Sequence, residues 1–172
     1  MTATATAMVD AEGRTEVVLG PGDLYFGDRN TRIRTLLGSC VAVTLWHPYA
    51  LIGGMCHYMM PTRQQAGEGG ELSGRYADEA LEILMAQVRR AGTPPDEYQV
   101  KMFGGGNQFA GTGRIDVAAR NVEFGLDLLA HHGLIPSATH LGGNGHRQVI
   151  LDLWSGDVWL RHVDHLEEVT AR

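Results

Sequence analysis

Residues 41–60, with the sequence VAVTLWHPYALIGGMCHYMM, decide the fold class of this chain. The first six are rich in β-branched and large apolar side chains, a composition typical of a strand. Residues 47–50, HPYA, then form a turn, because proline at the second turn position already has the required φ. Residues 51–60 return as a second strand, which ends at Pro61. The stretch therefore predicts a β-hairpin.

Shorter apolar runs on both sides of this hairpin predict further strands. They are bounded by glycine, proline and polar residues, which commonly flank strands. The runs are residues 17–19, 24–26, 33–37, 98–103, 135–141, 147–153 and 158–163. Residues 154–157, WSGD, are typical of a hairpin turn and join the last two.

Two stretches with helical periodicity predict the main helices. The first begins near Ser73 or Tyr76 and ends at Gly92, and its apolar stripe is Ala77, Leu81, Leu84 and Val88. The second runs from about Ile115 to His132, and its stripe is Ile115, Ala118, Val122, Leu126 and Leu129. The whole pattern predicts the α+β class, as a single-domain layered α/β sandwich with many largely antiparallel or mixed strands and two main helices.

Both ends of the chain are expected to lie outside the folded domain. Residues 1–16 begin with small residues and lack the basic start and apolar stretch of a signal peptide, so we expect a disordered N-terminal tail. The domain then occupies residues 17–165, and residues 166–172 form a C-terminal tail. Residues 62–74 are polar and glycine-rich, which favours a mobile surface loop.

Composition and charge exclude several classes of function. The 172 residues include 14 Lys and Arg against 20 Asp and Glu, a net charge of −6 without any basic run. Such a surface repels phosphate backbones and anionic lipid, so neither nucleic acid nor membrane insertion is expected. The only two cysteines, Cys40 and Cys56, do not make a disulfide scaffold, and a reducing cytoplasm is the simpler expectation.

The predicted hairpin brings Cys40 and His57 together. If residues 47–50 are the turn, residues whose numbers add to 97 face each other, and Cys40 and His57 are such a pair. Directly opposed side chains lie on one face of a sheet with Cβ atoms about 4.5–5.5 Å apart. A longer loop or a bulge shifts this register by a residue or two.

Nucleophilic catalysis is one interpretation of a cysteine next to a histidine, although such a pair alone more often has a structural role. The histidine removes the thiol proton and stabilises the thiolate, and backbone N–H groups after Gly38 and Ser39 are placed to hold an oxyanion. The alternative is structural: Cys40 as a small buried apolar residue and His57 as a hydrogen-bonded strand residue. A redox role for Cys40 with Cys56 is weaker, because the strand geometry sends the two thiols to opposite faces.

Other candidate sites carry weaker signals. The six histidines besides His47 and His57 lack the paired spacing and thiolates of a zinc site, so no metal is expected. Residues 104–107, GGGN, resemble a phosphate loop but are not followed by Gly-Lys-Ser/Thr. Residues 142–147, GGNGHR, are typical of a sharp turn from which Asn144 and Arg147 could line a pocket.

A set of short motifs runs in order from about residue 17 to residue 163. They are residues 19–23 (LGPGD), 35–43 (TLLGSCVAV), 52–57 (IGGMCH), 60–61 (MP), 101–106 (KMFGGG), 119–122 (ARNV) and 141–144 (LGGN) with Arg147. In this order they resemble CheD, the chemoreceptor glutamine deamidase family of bacterial and archaeal chemotaxis. The resemblance implies a fold and a triad similar to those of deamidating toxins of the cytotoxic necrotizing factor type.

The resemblance also implies the roles of individual residues. Cys40 is the nucleophile of a Cys-His-Thr triad, His57 is its base and Thr35 orients the histidine. The expected activity is that of a protein-glutamine glutaminase, an amidohydrolase that works through a thioester and needs no cofactor. Candidate substrate-binding residues are Ser39, Gly38, Gly104, Gly105 and Asn144, and Gly53-Gly54 is a further place for the substrate backbone to come close.

The implied partners are methyl-accepting chemotaxis receptors, as protein substrates, and a CheC-type phosphatase. The expected location is the cytoplasm. The alternative function is mainly that of a regulatory binding module for the phosphatase and the receptors, with catalysis secondary. A mass gain of about one dalton at receptor glutamines separates the enzyme from the binding module, since deamidation replaces an amide NH₂ with OH.

Overall fold

The computed structural model describes residues 5–64, 70–108 and 116–164, and in these ranges ten strands form two sheets beside two helices. Helix α1 is Ala77–Arg90 and helix α2 is Val117–His131, with a 3₁₀ turn at Pro95–Glu97. The strands are β1 (Thr6–Val9), β2 (Thr15–Leu19), β3 (Leu24–Gly27), β4 (Thr31–Leu37), β5 (Val41–His47), β6 (Ile52–Tyr58), β7 (Gln99–Gly104), β8 (Ala138–Leu141), β9 (His146–Asp152) and β10 (Val158–Val163).

Each sheet has five strands and mixes parallel with antiparallel pairs. Sheet A has the order β1-β2-β4-β9-β10, and sheet B has the order β3-β6-β5-β7-β8. The pairs β2–β4 and β7–β8 are parallel, and the other pairs are antiparallel. The predicted α+β class, with mixed strands and two main helices, is confirmed.

Two apolar clusters hold three layers together. One lies between the sheets, where alternate residues of β4 such as Ile33 and Leu37 meet Ala42 and Met55 of sheet B. The other lies between sheet B and the helices, and contains Val43 with the apolar stripe of α1. Sheet B is therefore covered on both faces, which explains why β5 is buried along nearly its whole length.

The β5–β6 hairpin forms as predicted, but its register differs by two residues. His47 pairs with Ile52, so the loop is residues 48–51 and Ala42, not Cys40, faces His57. The longer loop is stabilised by His47, whose Nδ1 accepts the N–H groups of Tyr49 and Ala50, at 3.3 and 3.1 Å. A shift of two keeps every side chain on its predicted face, because strand side chains alternate with period two.

The N-terminal prediction is wrong for part of its range. Residues 6–9 form β1, which pairs with β2, and β2 itself begins at Thr15 within the predicted tail. All four residues of β1 are exposed, so the strand is held by backbone pairing at a sheet edge rather than by burial, which leaves no apolar pattern to find. Residues 65–69 of the predicted loop, Ile115 and the predicted C-terminal tail lie outside the described residues.

The apolar stripe of α1 is buried as predicted, whereas that of α2 is only partly so. Ala118 and Leu129 are buried, but Leu126 is 38% exposed. Asn121 and Gly125 take the buried positions instead, because α2 touches sheet B through a polar contact and a close approach. Among the described residues no helix is both long and apolar enough to cross a membrane.

Candidate active site

The three predicted triad residues meet where the two sheets face each other. Thr35 lies on β4 of sheet A, and His57 lies on β6 of sheet B on the same face as Met55, which packs between the sheets. Both side chains are 1% exposed. Cys40 lies in the bend that leads from β4 to β5, two residues before Ala42, the partner of His57. Cys40 therefore directly precedes the strand that pairs with the His57 strand.

A chain of two hydrogen bonds fixes the histidine ring. The Thr35 hydroxyl donates to the backbone carbonyl of Leu19 at 2.9 Å, and Thr35 Oγ1 lies 2.7 Å from His57 Nδ1. Since the only hydroxyl proton is used on Leu19, His57 must donate its Nδ1 proton to Thr35. The neutral tautomer is therefore the one that leaves a lone pair on Nε2. That nitrogen is the one available to accept a proton.

Burial keeps His57 neutral. Desolvation lowers the pKa of His57 to about 4, because the charged ring loses its hydration inside the protein. Nε2 is buried and has no hydrogen-bond partner among the described residues. An unpaired buried nitrogen is costly, and such exceptions call for an explanation. One such explanation is that Nε2 acts as a base and accepts a proton during a reaction.

Cys40 is a neutral thiol in the same environment. Burial raises the pKa of Cys40, and a hydrogen bond with the Ser39 side chain offsets part of that rise. The thiol is half-buried, whereas Cys56 is fully buried and desolvation raises its pKa to about 11. Both shifts favour a neutral thiol and a neutral imidazole, and the activation of Cys40 by His57 expected from the sequence stays a prediction.

The glycine-rich turn after β7 forms backbone hydrogen bonds with the bend that contains Cys40. Gly105 N–H donates to the carbonyl of Cys40 at 2.9 Å, and Gly106 N–H donates to that of Gly38 at 3.0 Å. Gly104 has a φ of +115°, and a Cβ there would lie 2.3 Å from the Cys40 carbonyl oxygen. The structure therefore brings Gly38, Gly104 and Gly105 to Cys40, where they shape the bend.

Two backbone donors at the nucleophile remain available. The N–H groups of Ser39 and Cys40 make no hydrogen bond to another described residue. The Gly105 N–H, by contrast, is already used on the Cys40 carbonyl. Free N–H groups next to a nucleophile are the donors that stabilise an oxyanion.

Asn144 lies in the loop between β8 and β9, and Arg147 is the second residue of β9, so neither lies in the bend that contains Cys40. Asn144 pairs with Asn107 and its carbonyl lies 2.7 Å from His162 Nε2, so its backbone joins two loops of the site. Arg147 is 1% exposed, and it donates to His140 and to the carbonyl of Gly142. Arg147 therefore holds the loop from inside rather than lining a pocket.

The suggestion that Gly53 and Gly54 admit the substrate backbone is wrong. Both residues are buried. A Cβ on Gly53 would lie 2.1 Å from the Leu45 carbonyl oxygen, and one on Gly54 would lie 2.5 Å from that of Tyr25. The two glycines allow close packing of backbone within the protein.

Sequence reasoning missed two sets of residues that hold the site. Gly22 N–H donates to the carbonyl of His57 at 2.8 Å, and His57 N–H donates to that of Asp23 at 3.0 Å. The turn after β2 thus fixes the His57 backbone through two hydrogen bonds, and the Leu19 carbonyl fixes the Thr35 hydroxyl through one. The second is Asn121 of α2, a buried polar residue in an apolar stripe. Asn121 lies beside Val122 of the predicted stripe, and its place in the ARNV motif was the available signal for it.

Comparison with known proteins shows the family. Residues 59–162 match the family model for CheD, CheD chemotactic sensory transduction. A protein of Pseudomonas savastanoi pv. phaseolicola named "Probable chemoreceptor glutamine deamidase CheD" is 53% identical over 87% of this chain and 86% of its own length. One of Dechloromonas aromatica named "Probable chemoreceptor glutamine deamidase CheD 3" is 51% identical over 84% of this chain and 86% of its own.

Among solved structures, the chain is similar to the Bacillus licheniformis hypothetical protein YfiH, with a TM-score of 0.44 and 16% identity over 71% of this chain and 50% of that one. The family model lies outside residues 35–57, but the match to the Pseudomonas protein covers 87% of the chain and must span them. On these matches to the family model and to relatives about half identical in sequence, the chain belongs to the CheD family.

Proposed function

We propose that this chain is a chemoreceptor glutamine deamidase that hydrolyses receptor glutamine side-chain amides to glutamate. The observation that carries the proposal is the hydrogen-bond chain from Leu19 through Thr35 to His57, which leaves Nε2 without a partner among the described residues, on the residue that faces Ala42, two residues after Cys40. The names of the relatives support the substrate class.

In the proposed first step, His57 Nε2 takes the thiol proton as the Cys40 sulfur attacks the amide carbon of the glutamine. A neutral resting pair requires this proton transfer to accompany the attack, as it does for a serine nucleophile. Charge develops on the amide oxygen, and the N–H groups of Ser39 and Cys40 are placed to stabilise it. The C–S bond is formed, and an oxyanion with an imidazolium replaces the neutral pair.

In the second step, the imidazolium returns its proton to the amide nitrogen and ammonia leaves. This breaks the C–N bond and gives a glutamyl thioester on Cys40. Water then gives a proton to His57 and attacks the thioester, and the thiol leaves with that proton. The balance is one amide and one water to one carboxylic acid and one ammonia. Since only the leaving group differs, a glutamyl methyl ester is a second substrate to test.

The proposed substrates are glutamines on exposed receptor helices, and the proposed place of action is the cytoplasm. A CheC-type phosphatase is the further partner that the family resemblance implies. If it docks at the same face as the receptor, it competes with receptor fragments, and its addition slows deamidation in proportion to its occupancy. Deamidation of a receptor fragment with and without the phosphatase measures such competition.

The test is peptide-mapping mass spectrometry of a receptor cytoplasmic fragment incubated with the chain. We expect a gain of about one dalton at particular glutamines with the wild type, and none with Cys40→Ala. Cys56→Ala is the matched control, because it removes the other thiol, which faces the helix-side core. Retained deamidation by Cys40→Ala, or no deamidation by the wild type, would refute the proposal.

A further inference from the structure

Asn121 of α2 is fully buried and bonds two backbone carbonyls. Its Nδ2 donates to the carbonyl of Ser39 at 3.2 Å and to that of Met59 at 2.8 Å. The amide orientation is fixed, because a flipped amide would turn its oxygen toward two carbonyl oxygens. Both amide protons are thus used, and Oδ1 has no partner among the described residues.

The two carbonyls belong to the two segments that carry the proposed reacting groups. Ser39 directly precedes Cys40, and Met59 follows His57 by two residues. A single side chain on another layer therefore ties the nucleophile's bend to the end of the histidine's strand. The Ser39 backbone has no other hydrogen bond among the described residues.

Helix α2 is itself held at a fixed height above sheet B. The Tyr58 hydroxyl donates to the Asn121 carbonyl at 2.6 Å. A Cβ at Gly125, one turn along, would lie 2.2 Å from the Tyr58 hydroxyl oxygen, so only glycine permits this approach. The helix that carries Asn121 is therefore fixed relative to sheet B, so the side-chain amide of Asn121 can fix the position of the Ser39 carbonyl.

We propose that Asn121 is a positioning residue for the nucleophile: it fixes the bend at residues 38–40 so that the Cys40 thiol and N–H face the substrate and His57. This inference rests on the proposed function for its catalytic consequence, but its structural consequence does not. Loss of the bond frees the Ser39 carbonyl, the bend relaxes toward solvent, and the thiol becomes more exposed.

The test combines activity with thiol labelling. Variants are Asn121→Ala, which removes both bonds, and Asn121→Asp, which keeps the side-chain size but removes the donor. Thr93→Val is the matched control, because it removes side-chain hydrogen bonds at the end of α1, to the Val88 carbonyl at 3.2 Å and with the Tyr98 hydroxyl at 2.8 Å, and leaves the Ser39 and Met59 contacts in place. Deamidation kinetics are measured on a receptor fragment, and iodoacetamide labelling is followed separately at Cys40 and Cys56 by peptide mapping.

We expect kcat to fall about 10- to 100-fold in both Asn121 variants with KM nearly unchanged, since a misplacement of about 1 Å costs this much. Labelling of Cys40 should become about three- to fourfold faster for each unit by which its pKa falls toward the ordinary thiol value, because a tenfold larger thiolate fraction is partly offset by lower nucleophilicity. Cys56 should stay protected, because it is buried in the core and is labelled only when the chain unfolds. Thr93→Val should change neither kcat nor the Cys40 labelling rate.

Two results would overturn the proposal. One is labelling of Cys40 and Cys56 that rises in parallel in both Asn121 variants, which would make Asn121 a purely structural anchor. The other is an unchanged Cys40 labelling rate in folded variants. If the wild type deamidates no receptor fragment, the proposed function fails while the labelling result still decides the role of Asn121.

Discussion

Replacing Thr35 with valine tests the hydrogen-bond chain that orients the histidine. Valine has nearly the shape of threonine, so β4 and the inter-sheet packing are kept while the hydroxyl is lost. The change leaves the Nδ1 proton of His57 and the Leu19 carbonyl without their partner, in a place where both Thr35 and His57 are 1% exposed. We expect lower activity and lower stability together.

The magnitude follows from the unsatisfied donor. A buried N–H without an acceptor costs about 1–3 kcal/mol. The other tautomer of His57 and other orientations of its ring avoid this cost, so their free energy falls by about 1–3 kcal/mol relative to the original state. An energy of this size is about 5- to 150-fold in an equilibrium, and kcat falls by the same factor if only the original state reacts. The free energy of unfolding falls by about 1–3 kcal/mol for each group left unpaired.

The assay is deamidation of a receptor fragment by mass spectrometry, at a temperature where the variant is folded by circular dichroism. Thr44→Val is the matched control, because Thr44 is also buried but the only side-chain hydrogen bond that it makes to the described residues, to the Lys101 carbonyl, is at 3.5 Å. We expect near wild-type kcat for Thr44→Val. Full activity of folded Thr35→Val would refute the role of this hydrogen bond in fixing the tautomer.

Two further predictions concern pH and packing. Burial lowers the pKa of His57 to about 4 from an unfolded value of about 6.5. Between these two pH values the unfolded chain binds more protons than the folded chain. The free energy of unfolding therefore falls as pH falls through this range, by about 3 kcal/mol in all. Chemical denaturation at pH 4 to 7 should show this loss in the wild type and lack it in His57→Gln, and an identical pH dependence of the two would contradict it. Gly125→Ala should lower the free energy of unfolding by about 1–3 kcal/mol, because its Cβ would lie 2.2 Å from the Tyr58 hydroxyl and 2.5 Å from Met102 Cε. A melting temperature equal to that of the wild type would show that α2 can move away without cost.

Elements with a strong apolar pattern were predictable from the sequence. The stripe of α1 is buried at every predicted position, and β4 alternates buried with more exposed residues, because burial leaves a period in the residues. The strand β1 was not predictable, because its residues are exposed and pair only through backbone. The buried face of α2 was only half predictable, because Asn121 and Gly125 meet sheet B for reasons of hydrogen bonding and space.

The site shows the same limit. Turn placement predicted the hairpin that carries His57, but it gave the wrong register because nothing in HPYAL indicates that His47 stabilises a four-residue loop. The contacts of Thr35 with Leu19 and His57 join segments that are far apart in sequence. No local pattern carries such contacts, and only the family resemblance pointed to Thr35.

The proposed reaction starts from a neutral pair of Cys40 and His57 in which His57 Nε2 serves as the base. The state of this pair can be measured as the rate of Cys40 alkylation by iodoacetamide against pH, in a Cys56→Ser background with His57 or with His57→Ala. We expect slow alkylation at neutral pH that rises with a midpoint above the ordinary thiol pKa of about 8.5. Rapid alkylation at neutral pH with a midpoint well below that value, lost on removal of His57, would show a preformed thiolate–imidazolium pair and refute the neutral pair.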